Sequence, residues 1–400
     1  MEQSARRYKA DIVIVGGGPA GSSLAVRTAA AGHSTVLIER ARFPRHKLCG
    51  EFISPECLDH FRKLEVLDEM LEAGGERILE TRFFDAKGRH FSVPSSVLGG
   101  GLHALSLSRS TMDRILLDRA REAGVRVIEG ERATGLTVEE GRIAAVAAVD
   151  EKGSRSTVEG RIFVDATGRK RSLMRLAEKT VGNGIWKASA RPAAVAFKNH
   201  FSGSGLPPNV CEIYAFPGGY GGLTTVENGR ANLCFMVDPR AAKALGPQPE
   251  KLVTSLLIRN ARLAQTLGAA RPVMEWHAVS IESFGQAPAP PLENLFAIGD
   301  SAAFIDPFTG SGMLMALESS ALLASAITVS DGVTGAIRAN YNRQYQRDFS
   351  RRLRVCSFLR RAASFRHFPT AAVALLRSSR QARFLLAAST RGGRSPARTL

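Results

Sequence analysis

The stretch DIVIVGGGPAGSSLA, residues 11–25, joins a short apolar run to three consecutive glycines and a segment of small residues. The apolar run is continuous after Asp11, as expected for a strand buried on both faces of a parallel sheet. Pro19 suits the first turn of a helix, where its missing N–H leaves no hydrogen bond unmade. Gly32 can end that helix, and STVLIER (34–40) has the pattern of a second strand. The stretch therefore predicts a strand–turn–helix–strand unit.

The glycines of the turn have the spacing GxGxxG, and they are Gly16, Gly18 and Gly21. In such a turn the first glycine permits a sharp bend, the second lets a pyrophosphate approach the backbone, and the third lets helix and strand pack closely. The helix N-terminus, which includes Ala20, offers free N–H groups and a partial positive charge to phosphates. Glu39, followed by Arg40, ends the second strand, where a carboxylate accepts a hydrogen bond from a ribose hydroxyl. We therefore predict dinucleotide binding, the alternative being a tight turn without a ligand.

A second glycine-containing segment, LFAIGDSAAFIDPFTGSGM, occupies residues 295–313. Asp300 follows an apolar run and can accept a hydrogen bond from a sugar-chain hydroxyl. A second turn and helix start are predicted from Pro307, Gly310, Gly312 and Met313. These segments resemble those of FAD-dependent oxidoreductases with the glutathione-reductase-like, para-hydroxybenzoate-hydroxylase-type fold. The resemblance covers residues 10–40, 103–170 and 294–320. It implies that Asp300 contacts the ribityl–pyrophosphate region of FAD and that the second turn faces the isoalloxazine ring.

The segment FPRHKLCGEFISPECLDHF, residues 43–61, narrows the resemblance. It is similar to the geranylgeranyl-reductase branch, to which flavin-dependent halogenases are related. The resemblance implies that Cys49 and Gly50 lie beside the flavin ring, that Arg109 lies on the phosphate side, and that the backbone of Ala133 meets the adenine. The alternatives are a core thiol for Cys49 and a surface side chain for Arg109. Charge balance at the cofactor and a solvated loop are both open interpretations of Arg45, His46 and Lys47.

Three departures from the related families bear on the substrate. Thr167 stands in DATG where aromatic hydroxylases carry aspartate, which disfavours a phenol hydroxylase. Trp186 and Trp276 are the two tryptophans of the chain, so the halogenase W-x-W signature is absent. Gly221-Gly222-Leu223 replaces the bulky aromatic residue of isoprenoid reductases, which predicts a more open pocket floor. The candidates for an acid or base, each with a core or surface role as the alternative, are Tyr214, Tyr220, Glu275 and His277.

The order of elements predicts an α/β (α+β) protein with a discontinuous Rossmann-like FAD-binding domain of the glutathione-reductase type. We assign residues 1–77, 103–180 and 290–330 to that domain, residues 78–102 and 181–289 to an antiparallel substrate-binding sheet, and residues 331–400 to a helical C-terminal region with a basic tail. An amphipathic helix is predicted over residues 110–124, capped by Ser110 or Thr111. Hairpin turns are predicted at Lys87-Gly88, Glu140-Gly141, Lys152-Gly153 and Asn228-Gly229.

Composition limits the other function classes. The 400 residues carry a net charge of +17, but residues 351–400 hold 12 arginines and no acidic residue, so the rest of the chain is close to neutral. This distribution predicts no specific nucleic-acid partner. For the arginine-rich C-terminus, packing on the flavin domain is favoured over contact with an anionic membrane. No segment is expected to span a bilayer, the best candidate being residues 313–329. The five scattered cysteines indicate neither disulfides nor a metal, and a cytoplasmic location is predicted.

The sequence thus predicts an FAD-dependent oxidoreductase that acts on a small hydrophobic substrate, isoprenoid or ring-bearing. Electrons from NAD(P)H, which would bind transiently because no second GxGxxG is present, would serve either to reduce a double bond or to oxygenate the substrate. The alternative is a monooxygenase or halogenase-like tailoring enzyme, and a second alternative is a non-catalytic basic flavoprotein that binds membranes or nucleic acid. No particular oligomeric state is predicted.

Overall fold

The structure is a computed structural model that describes residues 6–99, 101, 103–182, 192–246, 248–330, 332–363, 376–379 and 381–383. The strands are, in chain order, β1 (Arg6–Val15), β2 (Thr35–Glu39), β3 (Phe52–Ile53), β4 (Glu76–Ile78), β5 (Glu80–Phe84), β6 (His90–Pro94), β7 (Ala104–Ser106), β8 (Arg126–Glu129), β9 (Glu131–Glu139), β10 (Arg142–Asp150), β11 (Arg155–Asp165), β12 (Ala194–Ser202), β13 (Val210–Phe216), β14 (Gly219–Val226), β15 (Arg230–Val237), β16 (Arg271–Pro272), β17 (His277–Ile281), β18 (Gly285–Gln286), β19 (Leu295–Ala297) and β20 (Ala303–Phe304). The helices are α1 (Pro19–Ala30), α2 (Pro55–Lys63), α3 (Leu67–Glu72), α4 (Arg109–Glu122), α5 (Ser172–Thr180), α6 (Pro239–Leu245), α7 (Pro249–Leu252), α8 (Ala261–Leu267), α9 (Gly312–Val329) and α10 (Thr334–Ala363).

The first sheet has the strand order β8-β2-β1-β11-β10-β9, and β19 pairs with β11. Strands β1, β2, β8, β11 and β19 are parallel to one another, whereas β9 and β10 form an antiparallel meander with β11. Ile12 to Val15 are buried in its centre, which is why that stretch reads as continuously apolar. Because the carboxyl ends of parallel strands meet at one edge, the loops after β1, β2, β11 and β19 converge there.

The second sheet has the order β16-β12-β15-β14-β13-β5-β6, with β17 paired to β12. It is antiparallel except for the pair β5 and β13, which is parallel. Directly opposed residues on neighbouring strands point to the same face. One face, here called the inner face, therefore carries Tyr220, Gly222, Thr224, Asn232, Cys234, Met236, Ala196, Lys198 and His200. The opposite face forms its own apolar core with side chains from α8 and from the helical segment before it.

Small residues let α1 and α9 approach the first sheet and each other. The hydroxyls of Ser23 and Ser320 hydrogen-bond between the two helices. By length and composition, α9 could cross a membrane, so the expectation that no segment meets this criterion is wrong. Half of α9 is buried in the protein, and its charged Glu318 pairs with Arg352 at 2.7 Å. This packing accounts for an apolar helix within the fold.

The C-terminal helix α10 packs on the apolar core that α1 and α9 form with the first sheet, through a stripe of large side chains, Tyr341, Tyr345, Phe349 and Leu353. These residues lie four apart, so they share one face of the helix. The packing predicted for the arginine-rich C-terminus stays a prediction, because most of residues 364–400 lie outside the described residues. Trp186 and the basic tail of residues 390–400 lie outside the described residues.

One helix start differs from the sequence expectation. Helix α4 begins at Arg109, and Ser108 is its N-cap because the Ser108 hydroxyl accepts from the Thr111 N–H. The predicted caps Ser110 and Thr111 are therefore wrong, and both lie inside the first turn. The true cap also contacts the Glu227 carboxylate, which binds the Ser108 N–H at 2.9 Å. That long-range partner could not be read from local sequence.

Candidate cofactor site

The first glycine turn packs against the turn that follows β11. Gly16 has φ = +112°, and a Cβ at this position would lie 2.3 Å from the carbonyl oxygen of Ala166. A Cβ at Gly21 would lie 1.8 Å from the carbonyl oxygen of Gly16. Glycine is therefore required at both positions by contacts within the protein. The two turns meet back to back at the carboxyl edge of the first sheet.

Gly18, at the start of α1, has different surroundings, because a Cβ there would meet no atom closer than 3.8 Å. It is the N-cap residue of that helix and provides no capping side chain. The nearest atoms to a Cβ at Gly18 would be Nη2 of Arg109 at 3.8 Å and Nη2 of Arg45 at 3.9 Å. The helix N-terminus, with its free N–H groups, is thus flanked by two guanidinium groups. This donor set suits a pyrophosphate.

The two arginines are held by one buried carboxylate. Asp113 accepts from Nη1 of Arg45 at 2.8 Å, and from Nε and Nη2 of Arg109 at 2.7 Å each. Burial alone would lower the pKa of Arg109, but the Asp113 carboxylate raises it above its ordinary value. Two cations and one anion leave one positive charge facing the glycine turn. Arg45 is therefore part of this site, and the solvated-loop interpretation of this residue is wrong because its side chain is 10% exposed.

The carboxylate of Glu39 braces the glycine turn from the end of β2. Its Oε2 accepts from the Gly17 N–H at 2.7 Å, and its Oε1 accepts from the Ala41 N–H at 2.9 Å. The side chain is buried, whereas Arg40 beside it is exposed. Each oxygen retains acceptor capacity, so contact of Glu39 with a ribose hydroxyl stays a prediction.

Sequence reasoning missed Asp165, a fully buried residue that joins the turns after β11 and β19. Its Oδ1 accepts from Thr167 N at 2.8 Å, from Thr167 Oγ1 at 2.7 Å and from Ser301 Oγ at 2.9 Å. Its Oδ2 accepts from Met174 N at 2.8 Å. The signal was present, since an acidic residue that ends a buried strand needs several donors. The role of Thr167 is to hydrogen-bond this carboxylate.

Asp300 lies in a single 3₁₀ turn, Gly299–Ser301, three residues beyond the end of β19. Burial raises its pKa to about 6, although Arg109, Arg169 and Lys47 act in the opposite direction. Within the described part of the chain its carboxylate has no hydrogen-bond donor. A partly exposed carboxylate without a protein donor fits contact with a ligand hydroxyl.

The second glycine turn starts at Asp306, which the sequence analysis also overlooked. Asp306 Oδ1 accepts from the Phe308 N–H at 3.0 Å and from the Tyr220 hydroxyl at 2.6 Å. Pro307 then opens a 3₁₀ turn that ends at Gly310, with φ = +60°. Gly312 begins α9 with no atom within 4 Å of its Cβ position, and Met313 packs against the first core. An aspartate before proline is a readable capping signal.

The Cys49–Gly50 segment lies against the inner face of the second sheet. The Cys49 sulfur accepts from the Glu51 N–H at 3.3 Å, and its carbonyl accepts from Asn232 Nδ2 at 3.1 Å. Gly50 is exposed, with no atom within 4 Å of its Cβ position. Ala133 lies apart from this group, in the β9 meander opposite Ala148. The contact of Ala133 with adenine stays a prediction.

The candidates for acid or base chemistry separate in the structure. Tyr214 is buried in the core of the second sheet with its hydroxyl on Glu212, and Glu275 is exposed. Tyr220 is tied to Asp306, and the His277 ring lies 5.6 Å from that of His46. Burial, followed by Lys198, lowers the pKa of both histidines. None of the four is thereby assigned as an acid or base.

The prediction of an open pocket floor at Gly221 and Gly222 is wrong. A Cβ at Gly221 would lie 2.9 Å from Cβ of Phe235, and one at Gly222 would lie 3.1 Å from Cδ1 of Ile213. The space that side chains would need is already filled from the neighbouring strands. Both glycines therefore serve the close packing of β14.

The glycine turn with its two arginines, the partly exposed Asp300 and the second helix start fit one extended dinucleotide with a flavin. These features define a flavoprotein with the two-turn arrangement of FAD-binding folds. The chain belongs to the FAD binding domain family, whose model matches residues 9–347. It is an enzyme of the flavin-dependent oxidoreductase kind, and its cofactor is FAD.

Known proteins with detectable similarity include both reductases and halogenating enzymes. The chain is 26% identical to digeranylgeranylglycerophospholipid reductase of Methanosarcina acetivorans over 326 residues, covering 79% of this chain and 74% of the relative. It is 27% identical to menaquinone reductase of Mycolicibacterium smegmatis over 346 residues, covering 82% and 78%. A solved flavin-dependent brominase has a TM-score of 0.76 at 19% identity, covering 95% and 94%. At this level of identity, the similarity to the brominase structure shows only that the two proteins share a fold.

Proposed function

We propose that the enzyme reduces a carbon–carbon double bond in an apolar, isoprenoid-bearing substrate, with NAD(P)H as the electron donor. The observation that carries the proposal is an apolar cluster between the two flavin-facing loops. It combines buried residues of the second sheet with half-buried Leu48 beside Cys49 and half-buried Phe304 before the second turn. Its remaining members are Ala194, Ala196, Met236, Ile281, Tyr220 and Phe284.

The names of two relatives agree with this chemistry. One is a reductase of a lipid with geranylgeranyl chains and the other a reductase of menaquinone. Both compounds carry isoprenoid chains, whose double bonds are apolar and lack activating groups. A surface of aliphatic and aromatic side chains is what such a chain would contact. The proposed net reaction consumes one alkene, one NAD(P)H and one proton, and it yields the saturated bond and NAD(P)⁺.

The residues of the chain have distinct tasks in this proposal. Bound FAD supplies the two-electron chemistry. Arg45 and Arg109 would neutralise its pyrophosphate, and Asp300 would accept from a hydroxyl of its sugar chain. Burial, followed by the neighbouring Arg45, lowers the pKa of Lys47 to about 8, so this side chain stays mostly charged at neutral pH. The apolar cluster would exclude water and orient the double bond.

A location near membranes would supply such a substrate. The proposal therefore includes peripheral contact of the arginine-rich C-terminal region with an anionic bilayer. Each basic residue near an anionic surface contributes about 1 kcal/mol of attraction. Binding of the purified protein to anionic against neutral vesicles measures this contribution.

The test is an anaerobic incubation of the FAD-loaded enzyme with NADH or NADPH and a geranylgeranyl lipid or menaquinone. A fully saturated analogue of each substrate is the matched control. Mass spectrometry of the product should show the gain of two hydrogen atoms per reduced double bond. Incorporation of labelled oxygen, or of halide, under aerobic conditions would overturn the proposal in favour of a monooxygenase or halogenase. Absence of any product with either isoprenoid compound would also overturn it.

A further inference from the structure

A buried charged cluster connects the Cys49 loop to the second sheet. Glu51, Lys198 and His200 have side chains that are 0%, 0% and 3% exposed. Lys198 Nζ donates to Glu51 Oε1, and His200 Nε2 lies 2.7 Å from Glu51 Oε2. The backbone N–H of Arg109 also donates to Glu51 Oε1, at 2.8 Å. One carboxylate thereby joins the loop, the start of α4 and strand β12.

The stability of the fold does not explain why these three charged or titratable side chains are buried together. Removing charges from water is costly, and apolar residues of similar volume often replace a buried ion pair without loss of stability. Glu51 also has φ = +57°, a left-handed conformation that non-glycine residues rarely adopt. Such strain persists where the surroundings impose it, and it concentrates at functional sites. The cluster therefore calls for an explanation beyond the stability of the fold.

The cluster holds both sides of the Cys49–Gly50 segment. Before the segment, Lys198 Nζ donates to the carbonyl of Lys47 at 3.2 Å. Within it, the Cys49 carbonyl is bound by Asn232 of the same sheet face. After it, the Glu51 N–H contacts the Cys49 sulfur. All sheet contacts come from inner-face residues, so the sheet determines where this loop lies.

The same face also reaches the second glycine turn. Tyr220 is the second residue of β14, and its hydroxyl donates a hydrogen bond to Asp306 at 2.6 Å. Tyr220, Asn232, Lys198 and His200 alternate onto one side of neighbouring strands. The inner face therefore contacts both loops that would border the isoalloxazine ring, with the apolar cluster between them.

We propose that Glu51 is a positioning residue that ties the Cys49–Gly50 segment to the second sheet, so that the sheet sets the geometry of the cofactor's edge. Its carboxylate acts through Lys198 and His200, and it contacts neither the substrate nor reacting atoms. The inference deepens the proposed function, since it names what aligns the flavin-facing loop with the substrate surface. Its test uses no substrate, so it stands or falls separately from the choice between reductase and oxygenase.

The first variant is Glu51→Gln, and the second is the double variant Glu51→Gln/Lys198→Met, which leaves no uncompensated buried lysine and so favours a folded protein. The matched control is Glu282→Gln. Glu282 binds Arg175 at 2.8 Å and likewise joins the two domains, but both side chains are about 40% exposed, at 43% and 39%. The control removes an interdomain ion pair that does not involve Glu51, Lys198 or His200.

The measurements are amide hydrogen exchange over residues 47–51 and the alkylation rate of Cys49 by iodoacetamide, in a Cys234→Ser background, with and without FAD. In both Glu51 variants, exchange and alkylation should rise by about 10-fold or more, which equals about 1.4 kcal/mol of lost local protection. The absorption spectrum of bound flavin should shift as well. The control should leave all three readouts unchanged.

A purely structural role gives a different pattern. In that case the double variant would regain the wild-type exchange rates, because the buried charge imbalance is gone. The proposal would also be overturned if hydrogen exchange in the Glu51 variants accelerated equally throughout the protein. The same holds if their exchange at residues 47–51 were as slow as in the Glu282→Gln control. The proposal is supported if the double variant melts close to the wild-type temperature and still shows faster hydrogen exchange at residues 47–51.

Discussion

Gly18 and Gly21 belong to one motif, yet a Cβ at Gly21 would lie 1.8 Å from a backbone oxygen whereas a Cβ at Gly18 has its nearest atom at 3.8 Å. Gly21 is therefore constrained by contacts within the protein, and Gly18 by the ligand that the turn would bind. The structure thus separates the folding role of a glycine from its binding role. The two roles can be tested independently.

Substitution Gly18→Ala should preserve the fold and weaken FAD binding. Its φ of −78° is open to alanine, so the free energy of unfolding of the apoprotein should change by no more than about 1 kcal/mol. The added methyl group projects into the space between the turn and the two guanidinium groups, so FAD affinity should fall by at least about 10-fold. Thermal unfolding and FAD titration measure the two effects. Gly21→Ala is the contrast, in which the fold itself should be lost. Unchanged FAD affinity in Gly18→Ala would show that the pyrophosphate does not lie at this turn.

The sequence was most informative where a local pattern determines the structure. The strand–turn–helix unit, all four hairpin turns and helix α9 follow from apolar runs, glycine and proline, and the structure has them. The FAD-binding fold was predicted from two glycine turns in the right order, and family membership confirms it. These features depend on neighbours within a few residues. Their prediction needs no knowledge of long-range packing.

The polar residues that organise the site could not be found in this way. Asp165 binds Ser301, Glu51 binds Lys198, and Asp306 binds Tyr220, and each pair is separated by more than 80 residues, with the closest separation being 86. A single sequence shows that an acidic residue is present but not which distant donor meets it. The wrong expectation for Gly221 and Gly222 has the same origin, since Phe235 and Ile213 fill that space from other strands.

Asp300→Asn should stabilise the apoprotein at neutral and alkaline pH. The pKa of Asp300 is raised from 3.8 to about 6 by burial, so the folded state holds its proton more tightly than the unfolded state. Its contribution to stability is therefore fully present below pH 3.8 and is lost as the pH rises through about 6. The shift corresponds to about 3 kcal/mol at 1.4 kcal/mol per pKa unit. Chemical denaturation of the apoprotein at pH values that run from below 3.8 to above 6 measures it.

The same Asp300 variant should lose affinity for FAD. An amide accepts a weaker hydrogen bond than a carboxylate, and loss of a charge-assisted bond costs about 1.5–3 kcal/mol. Asp59→Asn is the matched control, since Asp59 is 53% exposed and pairs with Arg62 on the surface. A parallel rise of stability and FAD affinity in Asp300→Asn would contradict a ligand contact at this carboxylate.

Tyr220→Phe should disturb the second turn selectively. The substitution removes the hydroxyl that binds Asp306, while the Phe308 N–H continues to bind the same oxygen. The apoprotein should lose about 1 kcal/mol of stability, and FAD affinity should fall by roughly 3–10-fold as the turn loosens. Tyr214→Phe is the control, because its hydroxyl binds Glu212 in the core of the same sheet, away from both turns. If both variants change FAD affinity equally, the Tyr220–Asp306 bond has no particular role at the cofactor.

Acid should loosen the region around the Cys49 loop before the rest of the protein. The pKa values of His46 and His277 lie below the ordinary 6.5 because of burial and then of the positive charge of Lys198 and His200, while Glu51 acts in the opposite direction on both and Glu275 on His277. Since the unfolded state binds these protons first, the stabilising contribution is fully present above pH 6.5 and is lost as the pH falls through the lowered values.

Hydrogen exchange of residues 46–51, corrected for the intrinsic pH dependence, should therefore accelerate as the pH decreases below 6.5. The double variant His46→Gln/His277→Gln should flatten that pH profile while leaving the rate at neutral pH close to that of the wild type. His33→Gln serves as the control, because His33 lies at the opposite end of α1, beyond Gly32. A profile that keeps its slope in the double variant would assign the acid response to groups other than His46 and His277.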